Sequence, residues 1–141
     1  MSEGKVRPNA NDLSAVIPYC SLESDLIWGV VGSLQICSEV VLVTMTHLFD
    51  GTPDPLAWEH ATQIAEKYPN VIPVLLQWRE GNVPLRYWIQ EMRQAGYART
   101  TKNWLLFIDS DEELRTPDKF LQWFLESKVE GAYKLSNYWN N

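Results

Sequence analysis

The sequence predicts a single α/β domain, a mostly parallel sheet with helices on both faces. Short apolar, β-branched runs alternate along the chain with segments whose apolar residues recur at helical spacing. Such alternation favours parallel strands joined by crossover helices. The length of 141 residues is that of one domain, and the composition, with 45% hydrophobic and 21% charged residues, is that of a globular protein.

Five apolar runs are predicted as strands. The unbroken run 104–108 is typical of a central strand buried on both faces. Pro73 interrupts another run and predicts an edge position for it, since proline cannot donate to a neighbouring strand. All five runs are short and rich in apolar residues: 13–17, 39–45, 71–76, 104–108 and 131–136.

Helix-start signals separate the strands. Ser21 is a candidate N-cap for the first helix, and Asp54 followed by Pro55 begins the second. Pro84 opens the third helix and Pro117 the fourth. Residues 1–12 are predicted as a flexible N-terminal segment, and residues 13–141 as the folded domain.

Composition excludes several classes of protein. A net charge of −6 argues against nucleic-acid binding, which normally requires a basic face. Residues 1–12 contain no apolar signal core and no run reaches the length of a membrane span, so a cytoplasmic protein is expected. Cys20 and Cys37 form neither a disulfide framework nor a metal-binding spacing. Dinucleotide-binding, Walker and nucleophile-elbow motifs do not occur in the sequence.

An acidic cluster follows the fourth predicted strand directly. Asp109 and Asp111 begin it, and Glu112 and Glu113 complete it. In open α/β sheets the carboxyl ends of strands are where ligands bind. Carboxylates this close repel one another unless a cation lies between them, and their oxygens suit Mg²⁺ or Mn²⁺, which can also bind phosphate. The cluster therefore indicates a metal–diphosphate site at Asp109 and Asp111, or alternatively a solvated acidic turn.

Four short stretches, in order, resemble the nucleotide-sugar-binding half of a GT-A glycosyltransferase, closest to family 2. Val16-Ile17-Pro18-Tyr19-Cys20 resembles the family's opening strand, and Asp50-Gly51-Thr52-Pro53-Asp54 its Asp-Gly-Ser-x-Asp turn. Gly81-Asn82-Val83-Pro84-Leu85-Arg86 is similar to its glycine before a helix with a basic residue. Phe107-Ile108-Asp109-Ser110-Asp111 resembles its strand with the Asp-x-Asp motif. The resemblance covers residues 13–136.

The resemblance implies a role for each matching residue. Pro18, Tyr19 and Cys20 would lie against the nucleotide base and ribose, and Arg86 near the nucleotide or its phosphates. Asp50 would be the acid near the base, although four more residues separate it from its strand than in the family. Asp109 would approach the ribose or the metal. Asp111 would bind Mn²⁺ or Mg²⁺, which acts as a Lewis acid on the departing diphosphate.

The implied function is a metal-dependent glycosyltransferase that transfers a sugar from a nucleotide-diphosphate sugar to an unknown acceptor. The alternative is a non-catalytic nucleotide-sugar-binding remnant or oligomeric module of the same fold. The acceptor-binding half and the general base have no counterpart in the sequence, so a homo-oligomer or a partner chain that completes the fold is expected.

Three basic side chains have weaker sequence evidence for a place in the site than the acidic cluster has. His47 follows a predicted buried strand and would face the same rim as the acidic cluster, although a surface-loop histidine is the favoured interpretation. Arg86 and Arg93 are seven residues apart and share a helix face. For Arg93 the favoured interpretation is that its side chain lies on a solvated stripe of the third helix.

Overall fold

The computed structural model describes residues 12–81, 83–127 and 131. It confirms the α/β class and the alternation of strands and helices. The predicted fifth strand and N-terminal segment lie outside the described residues, apart from Gly131 and Asp12. The elements are β1 (Leu13–Pro18), a short 3-10 helix (Ser21–Glu23), α1 (Ile27–Ser33), β2 (Glu39–Met45), α2 (Pro55–Lys67), β3 (Val71–Leu76), α3 (Leu85–Tyr97), β4 (Trp104–Phe107) and α4 (Pro117–Ser127).

The four strands form one sheet in the order β3-β2-β1-β4, and every neighbouring pair is parallel. Val16 of β1, for example, lies between Val41 of β2 and Phe107 of β4. The carboxyl ends of all four strands therefore meet at one edge of the sheet. The edge position that Pro73 predicts for β3 is confirmed.

β4 lies at the end of the described sheet opposite β3, and the predicted central position of the run 104–108 stays a prediction because the predicted fifth strand lies outside the described residues. Leu106 and Ile108 are buried, but Phe107 is 47% exposed. Among the described elements, α3 packs mainly against β1, β2 and β3, and Phe107 lies beside Val16 on that same face of the sheet. An unbroken apolar run predicts a strand but does not specify how many neighbours it has.

Helices cover both faces of the sheet, as predicted. Alternate residues of β1 point to opposite sides: Leu13, Ala15 and Ile17 pack in the cluster that contains α1, α2 and α4, and Val16 packs beneath α3. Gly96 lets α3 approach the sheet closely, because an added Cβ would overlap Val16 and lie 2.9 Å from Val43. In the part of the chain that the structure describes, no helix is long and apolar enough to cross a membrane.

The first helix does not begin at the predicted cap. Ser21 starts the short 3-10 helix, and α1 begins only at Ile27. The backbone N–H of Ser21 donates to Oδ2 of Asp54 at 3.0 Å. A contact between residues 33 positions apart thus determines the local structure here, which a capping pattern cannot reveal.

Candidate functional site

A cavity of about 460 Å³ opens at the carboxyl edge of the sheet. The segments that follow β1, β2 and β4 line it, and α3 contributes Ile89 and Met92. Six of the seven nucleotide-site residues predicted from sequence lie on its surface: Pro18, Tyr19, Cys20, Asp50, Asp109 and Asp111. Segments that are far apart in the sequence are thus brought to one site.

Arg86 is the predicted residue that the structure does not place with the others. It occupies the first turn of α3, where its side chain is exposed, and it is not part of the cavity lining. The basic side chain that reaches the acidic cluster comes instead from two turns further along the same helix.

The segment after β1 is held rigidly at the base of the cavity. Tyr19 is 1% exposed, its backbone N–H donates to the carbonyl of Val43 at 2.8 Å, and its hydroxyl shares a hydrogen bond with Nδ1 of His60 at 2.8 Å. Burial, with a smaller contribution from the charge of Asp54, raises the pKa of Tyr19 far above its usual value. Burial also raises the pKa of the Cys20 thiol. Both side chains therefore meet a ligand in their neutral forms.

The β2 loop, residues 46–54, forms one wall and is closed on itself by backbone hydrogen bonds. The N–H of Leu48 donates to the carbonyl of Thr52 at 2.7 Å, and the N–H of Asp54 donates to the carbonyl of Thr46 at 2.9 Å. Asp50 lies on the exposed tip, where its carboxylate accepts the N–H of Thr52 at 2.9 Å. That hydrogen bond lowers the pKa of Asp50, so its side chain is an anion at neutral pH.

His47 lies in the cavity wall, and an aromatic stack supports it. Its ring packs on Trp78 with centroids 5.0 Å apart, and Trp78 in turn packs on Trp88 at 6.3 Å. The sequence contains a signal for this contact: His47 and Trp78 each follow one of two neighbouring strands by two residues. This signal predicts the contact only if β2 and β3 are already known to be neighbours in the sheet.

The β4 loop, residues 108–115, forms the opposite wall and carries the acidic cluster. Oδ1 of Asp109 accepts a hydrogen bond from Nη2 of Arg93 at 3.2 Å, and the two side chains are 49% and 43% exposed. The backbone N–H of Asp109 donates to Oε1 of Glu112 at 2.8 Å. Ser33 accepts the N–H of Leu114 at 3.1 Å and ties the loop to α1. Arg93, which the sequence placed on a solvated stripe, is thus an ion-pair partner of the predicted site.

The cavity lining is strongly acidic. Within the part of the chain that the structure describes, it includes no lysine or arginine, and His47 is its one side chain that can become a cation. An anionic ligand would therefore need an added cation to offset the repulsion. The carboxylates in the lining are those of Glu23, Asp50, Asp54, Asp109 and Asp111.

The carboxylates of Asp109 and Asp111 suit a metal ion that binds together with a phosphate-containing ligand. Among the described residues, no group of three or more His, Cys, Asp and Glu side chains could hold a metal ion by itself. Mg²⁺ commonly binds through one or two carboxylates together with substrate phosphates. Asp109 and Asp111 line the same cavity and fit that pattern, whereas they do not make a complete protein cage.

Comparison with protein-family models and with curated protein sequences gives no match for this chain.

Proposed function

We propose that this domain is the donor-binding part of a metal-dependent glycosyltransferase. It binds a nucleotide-diphosphate sugar in the cavity and transfers the sugar to an acceptor. One observation carries the proposal: six residues that the family resemblance implies for the site, from three separate segments, line a single cavity at the carboxyl edge of a parallel sheet. That edge is where α/β sheets bind their ligands.

The acidic lining would require a metal ion to offset its repulsion of a diphosphate. Asp111, with Asp109, would hold Mn²⁺ or Mg²⁺ against the diphosphate oxygens, because carboxylates alone would repel that group. The chemistry supplied at Asp109 and Asp111 would be that of a Lewis acid, which would stabilise the charge on the departing nucleoside diphosphate. The neutral side chains of Tyr19 and Cys20 add no further repulsion.

Calorimetry tests the proposal directly. UDP, GDP and their sugars are titrated with and without Mn²⁺ into the wild type, Asp111→Asn and Glu113→Gln. Glu113 is an exposed acid of the same loop that does not line the cavity, so it is the matched control. We expect binding only with Mn²⁺, a loss of at least about tenfold in Asp111→Asn, and no loss in Glu113→Gln.

Two outcomes would reject the proposal. Equal binding by the wild type and Asp111→Asn would eliminate the metal role of Asp111. Failure of every nucleotide to bind with Mn²⁺ would eliminate the nucleotide-sugar site. Because Asp111 is exposed, both variants should melt at the wild-type temperature, so that lost binding does not reflect unfolding.

A second candidate is a non-catalytic module that binds nucleotide-sugars. The ion pair of Arg93 with Asp109 favours it, because a protein cation already satisfies one carboxylate of the Asp-x-Asp motif. Long incubation of the complex with Mn²⁺ separates the two candidates. A transferase should slowly release free nucleoside diphosphate by transfer to water, whereas a binding module should leave the donor intact.

A further inference from the structure

His47 is held in one orientation at the β2 end of the cavity. Its ring is stacked on Trp78 with an interplanar angle of 28°, and its Nδ1 lies 2.8 Å from Oγ1 of Thr46. In the part of the chain that the structure describes, no protein group forms a hydrogen bond with Nε2. The ring is thus fixed from the protein side, and its second nitrogen is left for a ligand.

The hydrogen bonds around Thr46 determine where the proton of the neutral ring lies. Oγ1 of Thr46 accepts the backbone N–H of Trp78 at 3.0 Å and an amide N–H of Gln77 at 3.4 Å. A hydroxyl has two acceptor positions and one proton, so its O–H is left to donate to Nδ1 of His47. The neutral ring therefore carries its proton on Nε2. Since the imidazolium also has an N–H there, Nε2 is a donor in both charge states.

The two ends of the cavity differ in chemistry. Asp109 and Asp111 follow β4, whereas His47 follows β2, and β1 lies between those strands. The separation of two strand spacings is about 10 Å. Next to His47 in the chain, Leu48 and Phe49 add apolar surface to the lining, and Asp50 and Asp54 of the same loop add carboxylates. The apolar side chains and the stacked ring of His47 offer a flat nucleobase a surface to pack against.

We propose that His47 is a specificity-determining residue that donates from Nε2 to the carbonyl edge of the nucleobase. This inference rests on the proposed function and deepens it. A fixed donor favours uracil over cytosine and guanine over adenine, because cytosine and adenine present an amino group where uracil and guanine present a carbonyl. Two donors facing each other would leave both without a partner, which is unfavourable in a partly desolvated site.

Matched nucleotide pairs test the inference. With Mn²⁺ present, UDP is compared with CDP, and GDP with ADP, by calorimetry on the wild type, His47→Phe and His47→Gln. One of the two pairs should bind more tightly than the other. Within that pair, we expect the wild type to bind the nucleotide with the carbonyl, UDP or GDP, at least about fivefold more tightly than the nucleotide with the amino group. His47→Phe keeps a ring on Trp78 but removes the N–H, so its preference should fall below about twofold. His47→Gln retains an N–H donor and should keep part of the preference.

The outcomes separate this inference from the proposed function. Binding that requires Mn²⁺ but does not distinguish the bases, or a preference that survives in His47→Phe, would overturn the role of His47 alone. Absence of nucleotide binding would overturn both proposals. Nitrogen-15 NMR of the imidazole rings gives a second readout: a proton on Nδ1 of neutral His47 in the nucleotide complex would contradict the assigned donor.

Discussion

The β2 loop and the β4 loop face each other across the cavity, but they are built in different ways. The β2 loop is closed by its own backbone hydrogen bonds and includes the buried carboxylate of Asp54, which is 5% exposed. In the β4 loop, Asp109 is half exposed and paired with Arg93, and Asp111 is exposed. One wall is preorganised, and the other exposes charges that can change partners.

This difference suits the two tasks that we propose for the cavity. Base selection requires a donor in a fixed position, since an unsupported side chain would rotate to match either base. A cation site that also binds substrate phosphates needs accessible carboxylates, because the metal must enter and leave with its ligand. Substitutions of the residues that hold the β2 loop in place should therefore change stability, and substitutions of the β4-loop carboxylates should change metal binding.

The largest effect on stability is expected for Asp54→Ala. The substitution removes the carboxylate that accepts the N–H of Ser21, and hydrogen bonds to charged groups contribute about 1.5–3 kcal/mol. Asp54→Asn keeps an acceptor oxygen and should cost less. Urea unfolding of the three proteins measures the difference. An alanine variant as stable as the wild type would show that the β2 loop is not held through Asp54.

Gly51→Ala should destabilise the protein by about 1–2 kcal/mol. Gly51 has a φ of +93°, and its added Cβ would lie 3.0 Å from the ring of Trp78. Gly29→Ala is the matched control in α1, where the atoms nearest to the new Cβ belong to Glu113 and lie at an ordinary 3.5 Å or more. The control should gain up to about 1 kcal/mol from helix propensity. Thermal unfolding that moved in the same direction for both variants would contradict this account of the β2 loop.

Arg93→Met should strengthen the binding of Mn²⁺ alone, up to about fivefold, since half-exposed ion pairs contribute about 0–1 kcal/mol. The substitution removes both the competitor for Asp109 and a nearby positive charge. Free Mn²⁺ measured by electron paramagnetic resonance gives the affinity, and Arg86→Met on the same helix is the control. Weaker Mn²⁺ binding in Arg93→Met would mean that Arg93 supports the site and does not compete with the metal.

The smallest effect concerns pH and the exposed tip of the β2 loop. The N–H of Thr52 lowers the folded-state pKa of Asp50 below its usual value. The stabilisation from this carboxylate is therefore fully present above the unfolded pKa, about 4, and is lost as the pH falls through the folded pKa. The difference in melting temperature between the wild type and Asp50→Asn should be constant above about pH 5 and shrink below about pH 4. A difference in melting temperature that grows as the pH falls would contradict a lowered folded-state pKa for Asp50.

The sequence predicted the strands well because their information is local. Apolar runs located β1 to β4 within one residue, and Pro73 marked the edge position of β3. The sequence did not predict the exposure of Phe107. That exposure depends on where α3 packs, and the packing of α3 depends on Gly96 and on residues far away in the chain.

The site was predictable to the extent that it lies at strand ends. Parallel pairing brings the residues after β1, β2 and β4 to one edge, so motifs at those ends were found together. Helix-borne residues were harder to predict, since each helical turn of error moves a side chain by about 5 Å. Arg86 and Arg93 illustrate this: the sequence favoured the first, but the second contacts Asp109.

Paramagnetic broadening by Mn²⁺ tests most directly whether this cavity binds a metal together with a nucleotide. Amide spectra of the isotope-labelled chain are recorded with traces of Mn²⁺, with and without UDP or GDP. We predict that broadening centres on residues 109–111 and reaches Tyr19 and Cys20, that nucleotide intensifies it, and that Asp111→Asn abolishes it. Broadening spread over the surface acids, unchanged by nucleotide or by Asp111→Asn, would contradict the account.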